Sequence, residues 1–287
     1  MAKTHTATPS TLLSDKYSFF TESMKNNLGF NEVASILKDL YQYSYSLIND
    51  LEKVELNNEL NKRYYALQDN NRLTRAINSG LFIDDPERIT AFIEASPSMD
   101  FEGYTSEELN RLCYSLAMTV CAAMDIHFSG AQKRVGTFFE YLIGFFASIR
   151  FGTSPVKEQK IPIRDDEFGL LPTDYIFTLG DQKIHLPVKT STRERAVQVW
   201  AHQKILNNIW GLNSYLGMLV GLAETKVDKK KLIVTDICVP EQWKLYQSRL
   251  AYMDVIYYLD TPERYDQLNG QGFKILPFGN FLKYGLS

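Results

Sequence analysis

Three residues in the second half of the sequence have types and spacing that could support phosphodiester hydrolysis. Glu140 lies on a predicted helix, Asp174 begins a predicted strand, and Lys189 ends the next strand. A carboxylate fixed on a strand can hold Mg²⁺ beside a phosphate and lower the pKa of an attacking water. A lysine beside it can orient that water and offset charge in the transition state. The set predicts a metal-dependent hydrolytic site with Asp174 and Glu140 as metal ligands.

The two strands that would position this site are predicted to form a hairpin. Segments 174–179 and 183–189 flank Gly180-Asp181, which is typical of a tight turn. The outer ends of a hairpin lie side by side, so Asp174 and Lys189 are expected to be neighbours. Taken singly, an Asp and a Lys on strands are usually surface residues, and Glu140 could belong to the polar face of its helix. The pattern alone therefore leaves both interpretations open.

The character of the sequence changes near residue 128. Before it, apolar residues recur at helical spacing, and Thr105-Ser-Glu-Glu108 is a capping-box pattern. This predicts an all-α domain over 1–128. Beyond it, β-rich segments alternate with helices, which predicts an α/β domain over 129–287 whose sheet is flanked by helices. Its candidate strands are 174–179, 183–189, 215–222, 231–237 and 255–259, with helices near 132–149, 194–209 and 240–252.

The charge of the protein is unevenly distributed. The net charge is −3, but residues 1–128 carry 11 Lys and Arg against 18 Asp and Glu, a net charge of −7. Residues 129–287 carry 20 against 16, a net charge of +4. Phosphate binding by the second half is compatible with this asymmetry. A solvated surface of mixed charge would explain it equally well.

The cysteines and the hydropathy pattern bear on the cellular compartment. Cys113, Cys121 and Cys238 are odd in number, widely spaced and set among apolar residues. We therefore expect buried free thiols in a reducing cytoplasm, with neither a disulfide framework nor a zinc site. The first residues contain no apolar core typical of a signal peptide, and no stretch approaches the ~18 apolar residues of a membrane span. We expect neither secretion nor membrane insertion.

The segment that follows Lys189 resembles a known family. Lys189-Thr-Ser-Thr leads into Arg193-Glu194-Arg195 at the start of a predicted helix, and upstream lies Gln132-Lys-Arg134-Val-Gly-Thr-Phe-Phe-Glu140. Both segments resemble the CCGG-family type II restriction endonucleases, which have the PD-(D/E)XK fold. The resemblance covers roughly residues 129–210. It implies a PD-(D/E)XK-like mixed sheet flanked by helices, following the helical domain.

The resemblance also implies how DNA would be bound. Arg193, Glu194 and Arg195 would read the CC/GG part of the target, because an Arg fork fits guanine and a carboxylate accepts from cytosine. Without the Lys189 context, Glu194 and Arg195 would be simply a charged first helical turn. The predicted contacts to the DNA backbone are from Arg134, Thr190 and Ser191.

The sequence departs from the family pattern at two places. The position two residues before Lys189 is usually acidic, but here it is Pro187. Enzymes of this family move that carboxylate onto the next helix, where this chain has His202 and Gln203. Neither is acidic, although either could support a metal-bound water as a catalytic residue. For His202, a structural role on a partly buried helix is an equal alternative.

The sequence thus predicts a Mg²⁺-dependent endonuclease that cuts double-stranded DNA at a palindromic site containing CCGG, or CC and GG around a central base. A palindrome has two-fold symmetry, so we expect a homodimer or a higher oligomer. One alternative is another nuclease of the same fold, acting in repair or recombination. A second, motivated by Pro187 and the missing helix carboxylate, is a sequence-specific DNA-binding protein without cleavage activity.

Overall fold

Helices form where the first half of the sequence predicts them. The computed structural model describes residues 8–164, 167–193 and 195–286. Its first five helices are α1 (Pro9–Lys25), α2 (Phe30–Ile48), α3 (Pro86–Ala95), α4 (Ser106–His127) and α5 (Gln132–Phe151). The predicted capping box before α4 is confirmed. The Glu108 amide N–H donates to Thr105 Oγ1 at 3.1 Å, and the Thr105 amide N–H donates to Glu108 Oε2 at 3.0 Å.

The first half is largely helical but not all-α, and that part of the prediction is wrong. Its strands are β1 (Glu52–Asn58), β2 (Tyr64–Asp69), β3 (Arg72–Leu73) and β4 (Ile77–Asn78). The apolar alternation of β1 is limited to Val54 and Leu56, of which only Leu56 is buried. The strand pairs antiparallel with β2 in a local hairpin, with Lys53 opposite Leu67, and parallel with a strand from far along the chain, with Asn57 opposite Ile233. The strand signal in the sequence is therefore short and set in a mostly polar segment.

Two compact units make up the described chain. The first contains the chain up to Phe101, Leu112–Tyr141 and Val227–Thr235. The second contains Glu102–Arg111, Leu142–Lys226 and the chain from Asp236 onward. Since neither unit follows a single cut near residue 128, the functional domains 1–128 and 129–287 stay a prediction.

The first unit contains most of a six-stranded sheet. The strands added by the second half of the sequence are β10 (Thr225–Asp228) and β11 (Ile233–Asp236), and the order is β10-β11-β1-β2-β3 with β4 paired to β2. The strand predicted at 231–237 therefore exists, but it joins this sheet. Its buried Val234 packs with Leu56 and Tyr64.

The second unit contains a seven-stranded mixed sheet, as predicted for the α/β part of the chain. Its strands are β5 (Val156–Arg164), β6 (Glu167–Leu179), β7 (Gln182–Leu186), β8 (Val188–Lys189), β9 (Tyr215–Gly221), β12 (Val255–Tyr258) and β13 (Ile275–Pro277). The order is β13-β12-β9-β7-β6-β5, and β8 also pairs with β9. The β5-β6 and β6-β7 pairs are antiparallel. The β7-β9, β9-β12 and β12-β13 pairs are parallel.

The predicted hairpin is the part of this sheet that positions the candidate site. In the register of β6 and β7, Tyr175 lies opposite Leu186 and Leu179 opposite Gln182. Gly180 has a φ of +60° and forms the turn, because glycine adopts this left-handed conformation without steric cost. The hairpin therefore returns the chain so that the residues after Leu186 lie beside Asp174 on β6.

Four helices complete the second unit, and they are α6 (Ala196–Trp210), α7 (Pro240–Arg249), α8 (Glu263–Asp266) and α9 (Phe278–Tyr284). Helix α6 packs one face on the sheet through Trp200, which is fully buried and contacts Trp243 at 5.2 Å between ring centroids. The indole N–H of Trp200 donates to Gln247 Oε1 at 3.0 Å. Trp200 is thus a core residue, and its packing fixes the rotation of α6 over the sheet.

All three cysteines are buried free thiols, as predicted. Burial raises the pKa of Cys113, Cys121 and Cys238, so each thiol stays protonated near neutral pH. Among the described residues, we find no helix with the length and apolar character needed to span a bilayer.

Candidate active site

Asp174 and Lys189 meet at one end of the hairpin. The pair Tyr175 and Leu186 places Asp174 next along β6, across from Pro187. The ammonium of Lys189 donates to Asp174 Oδ2 at 2.5 Å. The Lys189 side chain is 13% exposed and that of Asp174 19%, so the ion pair is largely withdrawn from water. The predicted neighbourhood of these two residues is confirmed as geometry.

Pro187 shapes the backbone around this pair. Proline has no amide hydrogen, so it cannot complete the β6-β7 ladder, and β7 ends at Leu186. The next amide N–H, from Val188, donates to Asp174 Oδ2 at 2.8 Å. The chain stays attached to β9 through the Val220 amide, which donates to the Pro187 carbonyl at 3.0 Å. Because β7 ends before this proline, the Val188 amide is not part of the β6-β7 ladder and instead holds the Asp174 carboxylate in place.

A pocket lies between this face of the sheet and helix α6. Strand side chains alternate between faces, which gathers alternate residues of β6 and of the β7-β8 segment. Residues three and four apart on a helix share a face, so Val199 and Gln198 of α6 each lie on the same side as His202. The lining residues are Pro172, Asp174, His185, Pro187, Lys189, Gln198, Val199 and His202.

His185 is a site residue that the sequence interpretation missed. It is 1% exposed, and its Nδ1 lies 2.9 Å from Gln203 Oε1. The Gln203 amide nitrogen donates to the Tyr215 carbonyl at 2.8 Å and to Asn207 Oδ1 at 3.0 Å, so its oxygen must be the atom that faces His185. The proton of neutral His185 is therefore on Nδ1, which leaves Nε2 as the unprotonated nitrogen.

Gln203 makes structural contacts behind the pocket, and its predicted catalytic role stays a prediction. Its amide is committed to hydrogen bonds with His185, Asn207 and the backbone of β9, and it is 1% exposed. It is absent from the described lining of the pocket. Gln203 thus positions the His185 ring, while the adjacent His202 faces the pocket.

His202 stands where the family pattern places a carboxylate. It is half-buried, and burial together with the nearby Lys189 lowers its pKa, against an opposite effect of Asp174. The rings of His185 and His202 lie 6.4 Å apart between centroids. Two imidazoles held neutral by their surroundings thus line one side of the pocket, and the Asp174–Lys189 pair lines another.

The stretch between Lys189 and α6 carries the predicted sequence-reading residues. Thr192 is fully buried, whereas Arg193 and Arg195 are exposed. Arg195 is the N-cap of α6, and its side chain makes no capping hydrogen bond. Glu194 lies outside the described residues. Within the part of the chain that is described, neither guanidinium has a hydrogen-bond partner, so both forks are available to a ligand.

Nearly the whole chain can be superposed on a known structure. A crystal structure of the Type IIP restriction endonuclease Kpn2I matches with a TM-score of 0.79 and 25% identity, covering 94% of this chain and 95% of that one. The protein has the restriction-endonuclease fold. The PspGI restriction endonuclease in complex with substrate DNA is 17% identical and covers 68% of this chain and 89% of that one, with a TM-score of 0.43. No protein-family model and no curated protein matches.

Within this restriction-endonuclease fold, Asp174 is the residue that fits a metal ion best. Mg²⁺ is commonly bound through one or two carboxylates and substrate phosphates, and it keeps several waters. Asp174 lines the pocket, and its Oδ2 is bonded to Val188 and Lys189 while its other oxygen accepts from no described residue. No group of three His, Cys, Asp or Glu side chains is set to hold a metal among the described residues. The protein alone thus supplies part of a ligand set, which a phosphate would have to complete.

Two predicted residues of α5 lie in the first compact unit, whereas Asp174 and Lys189 lie in the second. Glu140 is half-buried, and its charge acts on Tyr17. The guanidinium of Arg134 lies 4.3 Å from the Phe128 ring centroid and donates to Ser14 Oγ at 3.0 Å. A phosphate contact would share the guanidinium with these partners. Glu140 as metal ligand and Arg134 as DNA contact stay predictions.

The predicted backbone contacts from the turn after Lys189 meet a competing partner. Ser191 Oγ donates to Glu224 Oε2 at 2.8 Å. A hydroxyl has one proton, and a phosphodiester oxygen only accepts, so a Ser191 contact to DNA requires this hydrogen bond to break. Thr190 is half-buried beside it. Both contacts stay predictions.

The buried His185 makes stability depend on pH. Burial lowers its pKa to about 4, against the Gln203 hydrogen bond, which raises it. An unfolded His takes up a proton below ~6.5. Stability is therefore fully present above pH 6.5 and is lost as pH falls towards 4. Between pH 7.5 and pH 5 we expect the free energy of unfolding to fall by about 2 kcal/mol from this residue.

Urea denaturation at the two pH values measures this loss, and His185→Gln provides the comparison. Glutamine does not titrate but can still donate a hydrogen bond in the direction of Gln203. His202 is retained in both proteins, so its contribution cancels. An equal pH effect on wild type and variant would contradict the assignment.

Proposed function

We propose that this protein is a type II restriction endonuclease that hydrolyses double-stranded DNA at a palindromic site containing CCGG, or CC and GG around a central base. The observation that carries the proposal is the Asp174–Lys189 pair in a pocket of a chain that matches the Kpn2I structure over 94% of its length. We propose Mg²⁺ as the cofactor, a homodimer or higher oligomer as the assembly, and the cytoplasm as the location.

The hydrolytic roles follow from the chemistry of the pocket residues. Asp174 would hold the metal ion through the oxygen that is free of described partners, with the Val188 N–H and Lys189 fixing the other oxygen. When bound, the ion lowers the pKa of a water and offsets negative charge on the phosphate. Lys189 presents a positive charge where the transition state gains negative charge.

The two imidazoles extend this site on the α6 side. His185 presents an unprotonated nitrogen in a fixed orientation, since Gln203 holds the opposite nitrogen. His202 is kept neutral by burial and by Lys189. Each can accept a hydrogen bond from a water in the pocket, which supplies a base where the usual carboxylate is missing.

The recognition roles follow from exposure and from distance along the chain. Arg193 lies four residues after Lys189 and Arg195 six residues after it. Both guanidiniums are exposed at the start of α6, and an Arg fork can bond O6 and N7 of guanine in the major groove. Base reading and hydrolysis would thus be connected by one short stretch of backbone.

Digestion of a plasmid of known sequence, with Mg²⁺, tests the proposal. Discrete bands whose ends map to one palindromic sequence support a restriction endonuclease. A smear or degradation from the ends would instead indicate another nuclease of this fold. Specific binding in Ca²⁺ with no cleavage at any enzyme concentration would indicate a DNA-binding protein without catalysis, the alternative suggested by Pro187.

The arginines permit a separate prediction on sequence discrimination. We expect Arg193→Ala or Arg195→Ala to lose ~1–3 kcal/mol of discrimination between the cognate duplex and one with a changed G·C pair, because a bidentate contact is removed. Binding in Ca²⁺ at constant salt measures both affinities. Lys204→Ala, an exposed residue on the same helix, is the matched control for loss of one positive charge. Equal loss for cognate and changed duplexes would mean that the arginine contacts only the backbone.

A further inference from the structure

Glu224 is a buried carboxylate that the hydrolytic site does not use. It is 2% exposed and follows the end of β9, outside the lining of the pocket. In the parallel register of β8 and β9, Lys189 pairs with Gly221, so the stretch after each strand continues side by side. The Leu222 amide donates to the Lys189 carbonyl at 3.1 Å, which extends this pairing beyond the strands. Glu224 therefore lies beside the turn that follows the candidate catalytic lysine.

Four hydrogen bonds converge on this carboxylate. Thr192 donates to Oε1 twice, from its amide at 2.7 Å and from its hydroxyl at 2.6 Å. Ser191 Oγ donates to Oε2 at 2.8 Å, and Tyr258 Oη donates to Oε1 at 2.8 Å. Three of the four donors belong to the turn between Lys189 and α6. The fourth comes from Tyr258, the last residue of β12.

The four partners can together satisfy an ionised carboxylate. The Thr192 amide can only donate, and the hydroxyls of Thr192, Ser191 and Tyr258 can each turn a proton toward the carboxylate oxygens. Burial raises the pKa of Glu224, and the hydrogen bonds from Thr192, Ser191 and Tyr258 oppose that rise. A buried charge is expensive for the folded state, and an apolar side chain of similar volume often serves stability as well or better. Stability alone is therefore a weak explanation for this residue.

The bonded turn has a specific position in the chain. Thr192 is fully buried and immediately precedes Arg193, while Arg195 follows three residues later as the N-cap of α6. Both arginines are exposed and have no described hydrogen-bond partner. The Arg195 amide donates to the Thr192 carbonyl at 2.9 Å, so the N-cap of α6 is tied directly to Thr192. The buried hydrogen bonds of Ser191 and Thr192 therefore hold the backbone from which both arginine side chains extend.

We infer that Glu224 is a positioning residue for sequence recognition, holding the turn that sets Arg193 and Arg195 in register with Lys189. The inference rests on the proposed function. In this role Glu224 touches neither DNA nor metal. It restricts the conformations of the segment between Lys189 and the two arginines. Less conformational entropy is then lost when this segment is ordered on DNA binding.

The test measures discrimination, with Glu224→Ala and Glu224→Gln compared in the full-length protein. The ratio of Kd values for a duplex with one changed G·C pair and for the cognate duplex is determined by fluorescence anisotropy in Ca²⁺. We expect Glu224→Ala to lower this ratio about tenfold or more, comparable to the loss of one bidentate base contact. Glu224→Gln should restore most of it, because the amide oxygen still accepts and the Ser191 hydroxyl can rotate to accept from the amide nitrogen.

Tyr258→Phe separates positioning from stability. It deletes the bond from the sheet but leaves the three from the turn, so the melting temperature should fall while the discrimination ratio stays within about twofold of wild type. If Glu224→Ala keeps the wild-type ratio, the inference is wrong. If Glu224→Ala does not fold, Ser191→Ala combined with Thr192→Val removes two turn donors and retains the carboxylate. A wild-type ratio in that variant would also overturn the inference.

Failure of the proposed function would look different. A wild-type protein that binds the cognate and changed duplexes equally would defeat the proposed function, and the inference with it. A wild type that discriminates, beside a Glu224→Ala variant that discriminates equally well, would defeat only the inference.

Discussion

Lys189→Met and Asp174→Asn should each reduce the rate of DNA cleavage by ~10³-fold or more and leave specific binding in Ca²⁺ measurable. Lys189 supplies the positive charge, and Asp174 is the pocket carboxylate with an oxygen free of described partners. Positioned charges and acid–base groups of this kind contribute ~10²–10⁴-fold each. Single-turnover cleavage of a labelled duplex measures the effect independently of product release.

The double variant tests whether the two residues act as one unit. Because Lys189 and Asp174 share a hydrogen bond, removing both should reduce the rate little more than removing one. Lys183→Met is the matched control: this lysine is on β7 of the same hairpin, and its Nζ contacts the Tyr215 hydroxyl at 3.3 Å outside the pocket. Cleavage by this control should stay within a few-fold of wild type. Full activity in Lys189→Met would remove the lysine from the site.

The hairpin and its two functional residues could be predicted because all the necessary information is local. A glycine with positive φ lies between two β-rich segments, and the length of each segment fixes which residues meet at the open end. Asp174 and Lys189 are fifteen residues apart in sequence. The prediction therefore needed no knowledge of any other part of the chain.

His185 was missed although a local signal for it existed. Residues 185, 187 and 189 are two positions apart from one another, so a strand that continues past Pro187 places all three on the same face. Strand alternation beginning from Lys189 would have found His185.

Assigning both His202 and Gln203 to the site required more than the sequence offers. Adjacent residues on a helix point about 100° apart, so His202 and Gln203 need not face the same pocket. Which one does so depends on how α6 is rotated, and Trp200 fixes that rotation by packing on Trp243, more than forty residues later. Packing between distant segments decided the outcome.

Glu224 illustrates the part of a site that a single sequence conceals most completely. It lies 32 residues from Thr192, at the end of a different strand, and its role is visible only through the parallel pairing of β8 with β9. Parallel pairing joins distant segments and leaves no short-range pattern.

Gly221→Ala should destabilise the protein by about 3 kcal/mol, the upper end of the usual cost of overpacking a core. Alanine at a strand position with ordinary backbone angles would normally stabilise slightly, because it restricts the unfolded chain. Here a Cβ at residue 221 would overlap the ring of Tyr258, which is completely buried and has no free space to move into. The steric cost therefore reverses the sign. Urea denaturation measures the difference.

Gly217→Ala on the same strand is the control that isolates this clash. Its Cβ would lie 2.9 Å from the sulfur of Met253 and 3.1 Å from Gln203 Oε1, and the methionine is a flexible side chain that can yield more readily than a tyrosine ring. We expect a smaller loss of stability there. Gly221 is also the residue paired with Lys189, and its missing side chain leaves the space through which Tyr258 reaches Glu224. A Gly221→Ala protein as stable as wild type would show that the Tyr258 ring can move.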